Sequence, residues 1–95
     1  MKFEIVFAPQ AVEDIRRLSA RNRSTVLDAI ETDLRFEPEK LSRSRIKRLR
    51  SLRQPQYRLR VGDFRVFYDV TEEVVEVLAI VAKADAADWL DQVGE

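Results

Sequence analysis

Three arginines are the side chains of this sequence best spaced to do chemistry. They lie in the stretch Tyr57 to Val70, Y-R-L-R-V-G-D-F-R-V-F-Y-D-V. Tyr57, Leu59 and Val61 alternate with Arg58 and Arg60, and Phe64, Val66, Tyr68 and Val70 alternate with Arg65, Phe67 and Asp69. Period-two alternation on both sides of Gly62-Asp63 predicts a β-hairpin with one face in a core. A two-residue loop sets Val61 opposite Phe64, Arg60 opposite Arg65 and Arg58 opposite Phe67. The three arginines then share one face, where like charges directly opposite one another are destabilising. Their gathering points to an anion, supplied by a ligand or by another part of the chain. The competing reading is a solvated strand face whose arginine stems cover apolar surface. Because a guanidinium stays protonated, the chemistry on offer is anion binding and charge stabilisation, not proton abstraction.

The rest of the composition narrows the field. The chain has no histidine and no cysteine. The commonest general base, the commonest metal ligand, thiolate metal sites and disulfides are thereby excluded. The acidic residues show no metal-ligand spacing, so neither a metal nor a cofactor is expected. The 95 residues suffice for one domain, 1–95, with a single modest core. No apolar run is long enough to span a membrane and no signal-peptide pattern is present, which predicts a cytoplasmic protein without membrane contact. The formal net charge of zero hides an asymmetry. Residues 40–65 hold 10 basic and 1 acidic side chains, whereas residues 66–95 hold 1 basic and 8 acidic. A concentrated basic segment argues for a local anionic partner, with nucleic acid leading. The bland alternative is that the acidic C-terminal part covers the basic middle. Within the basic segment, Lys47, Arg48, Arg50 and Arg53 cannot all be buried and are candidate nucleic-acid contacts. They lack the interleaved aromatics that stack on bases.

The remaining elements must position these residues. Lys2 to Phe7 alternates, with Phe3, Ile5 and Phe7 on one side, and reads as a strand ended at Ala8-Pro9. Ala11, Val12, Ile15 and Leu18 recur at helical spacing after Pro9, a residue suited to a first helical turn. Ser19 to Arg23 reads as a polar break. Val26, Leu27, Ile30 and Leu34 form the stripe of a second helix, for which Thr25 and Asp28 resemble a capping pair, with a start a few residues earlier as the alternative. Pro38 ends it. Glu39 to Gln56 is expected to be a loop or short turn, because Pro55 disfavours a long strand. Val74 to Ala82 contains only Glu76 as a polar residue and reads as a central strand. With Glu72-Glu73 as loop, Val75, Val77, Ala79 and Val81 face Val70, Tyr68, Val66 and Phe64. Leu78 and Ile80 then join Phe67 on the arginine face, leaving it partly apolar and in need of a cover. Asp85 is expected to cap a last short helix, and Trp89 to anchor it with Leu90 and Val93. Lys83 ends the third strand, where it can approach the arginines. The predicted architecture is α+β: an N-terminal strand, an antiparallel αα-hairpin, a three-stranded antiparallel meander and a C-terminal helix, about four strands in one sheet.

This order of elements, with the Leu49-to-Tyr68 stretch as its most specific part, resembles the RelE/ParE superfamily of toxins from type II toxin–antitoxin systems. The resemblance covers nearly the whole chain. It implies a toxin whose basic residues on the second and third strands face mRNA, at positions corresponding to Arg58, Arg60 and Arg65. Lys83 falls near a further basic position, but Ala84 stands where many relatives have arginine, and the tyrosine common near the C-terminus is missing. The implied activity is metal-independent, ribosome-dependent cleavage of mRNA. In such a reaction the RNA 2′-OH attacks the adjacent phosphate, and arginines stabilise the charge that develops. Lys83 is the group left to transfer a proton. ParE-like inhibition of DNA gyrase without nuclease activity is the alternative, and an antitoxin-binding module without catalysis is a third. The resemblance also implies a cognate antitoxin, with operator DNA reached through it, and ribosome and mRNA as targets. Phe67, Leu78 and Ile80 beside the arginines would suit an acidic amphipathic antitoxin segment.

Overall fold

The alternating stretches pair into one sheet in a computed structural model that describes residues 1–95. The elements in order are β1 (Glu4–Phe7), α1 (Pro9–Arg17), α2 (Ala20–Leu34), β2 (Ile46–Arg48), β3 (Tyr57–Val61), β4 (Phe64–Thr71), β5 (Val74–Ala82), a 3-10 turn (Lys83–Asp85) and α3 (Ala86–Val93). The sheet order is β1-β5-β4-β3-β2. β1 runs parallel to β5, and the other neighbours are antiparallel. The α+β plan is the one read from the sequence, with one strand more. Ile46–Arg48, expected in a loop, pairs with β3 as a short edge strand. Pro55 lies beyond it in the connection, so the missing amide hydrogen interrupts nothing in the ladder.

The second helix also starts earlier than the Thr25–Asp28 pair suggests. Ser19 is its cap: the Ser19 hydroxyl accepts from the Asn22 backbone amide at 3.1 Å, satisfying one of the orphan donors of the first turn. The polar Ser19–Arg23 stretch is thus a cap and an exposed first turn.

Both helices cover one face of the sheet. Ala11, Val26, Ile30 and Leu34 pack on Leu59, Val66, Tyr68, Val75 and Val77 in a cluster of 13 buried residues. Ile5 and Phe7 from β1, and Phe3 just before it, line its border, as their alternation predicts. Tyr68 stacks on Tyr57, with ring centroids 5.4 Å apart, and donates from its hydroxyl to the Pro38 carbonyl at 2.6 Å. That bond satisfies a buried hydroxyl and fixes the chain just after α2.

The β3–β4 register is the predicted one: Val61 pairs with Phe64, Arg60 with Arg65, and Arg58 with Phe67. The β4–β5 register departs from expectation half-way. Val75 faces Val70 and Val77 faces Tyr68, but then Ala79 faces Phe67, Ile80 faces Val66 and Ala82 faces Phe64. A β-bulge at Leu78 inserts one extra residue, and a one-residue slip moves each later side chain to the other face. Ile80 is consequently not on the arginine face. It belongs to the core beneath the helices, 6% exposed. The Asp14 carboxylate on α1 accepts from the Ile80 amide at 2.9 Å, so the helix supplies the partner for a strand amide next to the bulge.

On the opposite face α3 covers only the middle. Trp89 stacks on Phe67 with centroids 4.8 Å apart, which is the anchoring role expected of it. Asp85 occupies the position before the helix but makes no side-chain capping bond, contrary to expectation. The other end is fixed by close approach. A Cβ on Gly94 would lie 2.6 Å from the Leu90 carbonyl oxygen and 3.1 Å from Leu52. Glu95 then donates from its amide to the Gln54 carbonyl at 2.8 Å.

Candidate anion-binding site

Strands β2, β3 and β4 bring four cations to the face opposite α1 and α2. Lys47 pairs with Arg58, and Arg60 with Arg65. Because side chains alternate across a strand, all four project from the same face. Arg58 and Arg60 are two residues apart, so their stems stand roughly 6.6 Å apart along the strand. The only ion pairs in the molecule are Arg16–Glu13, Arg35–Glu31, Lys40–Glu37 and Arg45–Asp33. None involves these four cations, so the acidic C-terminal part does not neutralise them. Arg58 carries the clearest sign of an unmet need. Its Nε is buried without a hydrogen-bond partner. Burial, then the charges of Arg65 and Arg60, hold its pKa below the usual arginine value.

Arg65 differs from its neighbours. It is 8% exposed and donates from one guanidinium nitrogen to the carbonyls of Gly62 and Phe64, both at 2.9 Å. Carbonyl dipoles thus take up part of the charge that would otherwise face Arg60 directly. The same bonds brace the tight turn, where Gly62 has φ +55°, a left-handed conformation that glycine adopts without steric cost. Arg60 is exposed. Lys83 is exposed too, and its amide donates to the Asp63 carbonyl at 2.7 Å, which tethers it to the same hairpin turn.

The structure divides the four cations of the basic segment. Lys47 joins the arginine face from β2. Arg48 lies on the helix side instead: its guanidinium sits 5.1 Å from the Tyr57 ring centroid and donates to the Gln56 carbonyl at 2.8 Å. A cation over an aromatic face is held electrostatically, so Arg48 serves the fold. Arg50 and Arg53 are exposed in the β2–β3 connection. That connection is tied down by Asp69, which accepts from Gln54 Nε2 at 2.6 Å and from the Gln56 amide at 2.7 Å. Sequence reasoning missed Asp69, Gln54 and Gln56 as the clamp holding this loop; a lone Asp in an apolar strand was the available signal. It also passed over Arg45, whose backbone carbonyl accepts from the Arg60 amide at 2.8 Å.

Of the three residues expected to meet a partner, Phe67 is fully buried under Trp89, and Ile80 is on the other face. Leu78 is half-buried and lines a groove of about 250 Å³ with Pro9, Pro55, Trp89 and Val93. No set of three or more acidic side chains is arranged to hold a metal ion. No helix is long and apolar enough to cross a membrane.

The profile of the family described as "ParE toxin of type II toxin-antitoxin system, parDE" matches residues 5–86. This chain belongs to that family. It is a type II toxin–antitoxin toxin of the RelE/ParE superfamily. Solved structures agree on the fold. The toxin–antitoxin complex RelBE2 from Mycobacterium tuberculosis contains a chain that is 24% identical, with a TM-score of 0.71 over 86% of this toxin and 99% of that chain. A chain of the archaeal RelE–RelB complex from Pyrococcus horikoshii is 23% identical, with a TM-score of 0.71 over 87% and 97%. One from the DinJ–YafQ complex of E. coli is 17% identical, with a TM-score of 0.66 over 92% and 97%. No curated protein sequence matches the toxin. The family match runs through the three strands that carry Lys47, Arg58, Arg60 and Arg65, and it ends at the start of α3.

Proposed function

We propose that this toxin, acting as one domain over residues 1–95, is a ribosome-dependent mRNA endonuclease. The observation that carries the reading is the uncompensated cation cluster, with the Arg58 Nε buried and unpartnered. Phosphate is the anion that suits it, because guanidinium forks bind phosphate oxygens at two points. The RNA supplies its own nucleophile. The 2′-oxygen forms a bond to the adjacent phosphorus as its proton passes to solvent water, the bond to the 5′-oxygen breaks, and the two non-bridging oxygens gain negative charge. Arg60, exposed and free of acidic partners, is assigned to those oxygens, with Arg58 and Lys47 beside it. Arg65 braces the turn and adds its charge from behind. Lys83, tethered at the same turn, is assigned to proton transfer at the leaving oxygen. Positive groups fixed before reaction stabilise developing charge without reorganising. The ribosome holds the mRNA so that the 2′-OH is in line with the leaving oxygen, the contribution a site without histidine needs most.

A cognate antitoxin is the assigned partner, since the related toxin chains come from complexes with antitoxins. Operator DNA is reached through it. Leu78 and its groove offer the antitoxin an apolar contact, and Phe67 becomes available to it only when Trp89 moves away. The cytoplasm, where ribosomes are, is the assigned location.

The test is a defined translation reaction in which ribosomes are stalled on a known mRNA and 5′ ends are mapped by primer extension. New ends within the A-site codon are expected with wild-type toxin and ribosomes. They should be absent without ribosomes and with Arg60→Ala or Arg58→Ala. One observation favours a second reading, inhibition of DNA gyrase: Arg65 spends a nitrogen on its own turn, and Ala84 adds no charge beside Lys83. Intact mRNA together with loss of supercoiling by purified gyrase would establish that reading in place of the first.

A further inference from the structure

The cationic face does not stop at Arg60. Just ahead of β2 the chain already runs alongside β3, because the Arg60 amide donates to the Arg45 carbonyl at 2.8 Å. This brings Ser44 and Arg45 next to Arg60 and the hairpin turn. The four residues Ser44, Arg45, Arg60 and Gly62 enclose an open cleft of about 310 Å³ with no apolar side chain in its wall. Its shape is fixed from below. The Ser42 hydroxyl accepts from the Arg45 amide at 3.0 Å and from the Ile46 amide at 3.1 Å, a local side-chain turn beside the exposed Ser44. Arg45 is held by one guanidinium nitrogen on the Asp33 carboxylate of α2, and its remaining N–H donors are uncommitted. The Ser44 hydroxyl has no partner in the molecule, and Arg60 has no acidic one. At Gly62 a side chain would meet nothing within 4 Å, so the rim between Arg60 and Arg45 is open.

We propose that this cleft binds a second phosphate of single-stranded RNA, one that flanks the scissile phosphate assigned to Arg60 with Arg58 and Lys47 beside it. The inference rests on the nuclease reading and extends it. Arg60 belongs to both subsites and lies two strand residues from Arg58, so a phosphodiester chain crossing the face at Arg58 continues round the sheet end into the cleft. Ser44 donates a hydrogen bond there, and Arg45, pre-positioned by Asp33, supplies charge. A surface ion pair such as Arg45–Asp33 contributes little by itself, and a planar guanidinium can serve a carboxylate and a phosphate together. RNA is favoured over duplex DNA because the track bends over an edge, which a flexible single strand can follow.

The experiment is fluorescence anisotropy with full-length toxin and fluorescein-labelled hexauridylate, repeated across a series of NaCl concentrations. Arg45→Gln is expected to weaken binding about tenfold and to lower the slope of log affinity against log salt by about 0.7, one phosphate contact on a single strand. Ser44→Glu, an exposed change that leaves the Asp33 pair intact, is expected to weaken binding at least as much, and Ser44→Thr to keep wild-type affinity. If Arg58→Ala weakens binding while Arg45→Gln and Ser44→Glu leave affinity and slope unchanged, the second subsite is wrong and the RNA reading stands. If wild-type toxin ignores hexauridylate, or prefers a DNA duplex of equal length, the second subsite is wrong, and the primer-extension assay on stalled ribosomes decides the nuclease reading separately.

Discussion

The two faces of the central strands are built on opposite terms. Under α1 and α2, Leu59, Val66 and Tyr68 are fully buried, and the one hydroxyl among them is bonded to the Pro38 carbonyl. On the reverse of the same strands, Arg58, Arg60 and Arg65 crowd together, a buried Nε has no partner, and α3 lays Trp89 over Phe67. The first face lowers the energy of the free toxin. The second raises it, because buried unpaired polar groups and facing like charges are costly. On the proposed reading, that stored cost is what an anion relieves when it binds. The comparison teaches that side-chain alternation lets one short hairpin carry a core and a site at once, each set by its own face.

The largest effect should come from the helix face. Leu59→Ala is expected to cost about 2–5 kcal/mol in urea unfolding, from lost burial and the cavity left behind. An Arg58→Ala variant destabilised to the same degree would break the contrast between faces. Next, Trp89→Ala should release α3. The stacked pair with Phe67 contributes about 0.5–1.5 kcal/mol beyond the area it buries. Amide exchange should accelerate in 86–93 while β3 and β4 stay protected; uniform acceleration would mean that α3 is part of the global core. Third, Arg58→Met should stabilise the free toxin by about 1 kcal/mol, through removal of the orphaned Nε and of repulsion with Arg65 and Arg60. It should also abolish toxicity on induction in cells. A stabilised variant with full toxicity would detach the strain from the site.

The smallest effect is one of pH. Burial raises the pKa of both Tyr57 and Tyr68, and for Tyr68 it does so strongly. The folded state keeps phenolic protons that the unfolded chain releases above about pH 10. The stabilisation is therefore fully present below that pH and is lost as pH rises towards the folded values. Tyr68→Phe should lose about 1 kcal/mol at neutral pH through the Pro38 bond, and its stability should fall less steeply above pH 10. An unchanged alkaline slope would place the titration elsewhere.

Where residues alternated in kind, the sequence was legible. The polar members Arg58, Arg60 and Arg65 marked the phase of β3 and β4, and the Gly62-Asp63 turn set their register, so the arginine face could be drawn before the fold. β5 was legible as a strand but not in its second half. After Glu76 every residue to Ala82 is apolar, so nothing in the pattern marked the bulge, and Ile80 was set on the wrong face. The strand amide next to the bulge is met by Asp14, 66 residues away in sequence. The basic segment was legible only as charge. Its division into Lys47 on the site, Arg48 on Tyr57 and Arg45 at the turn follows from a three-residue strand too short to show a period.

By itself the sequence determined the α+β plan, the three-arginine face and the absence of thiol and imidazole chemistry, because composition and period-two alternation are local properties. Tertiary structure alone decided that no acid of the chain answers those arginines, that Trp89 covers Phe67, and that Ser44 and Arg45 lie beside Arg60 at the hairpin turn. Each of these depends on which distant segments touch, and contact across a fold is set by packing and hydrogen bonding between elements, which no local pattern encodes.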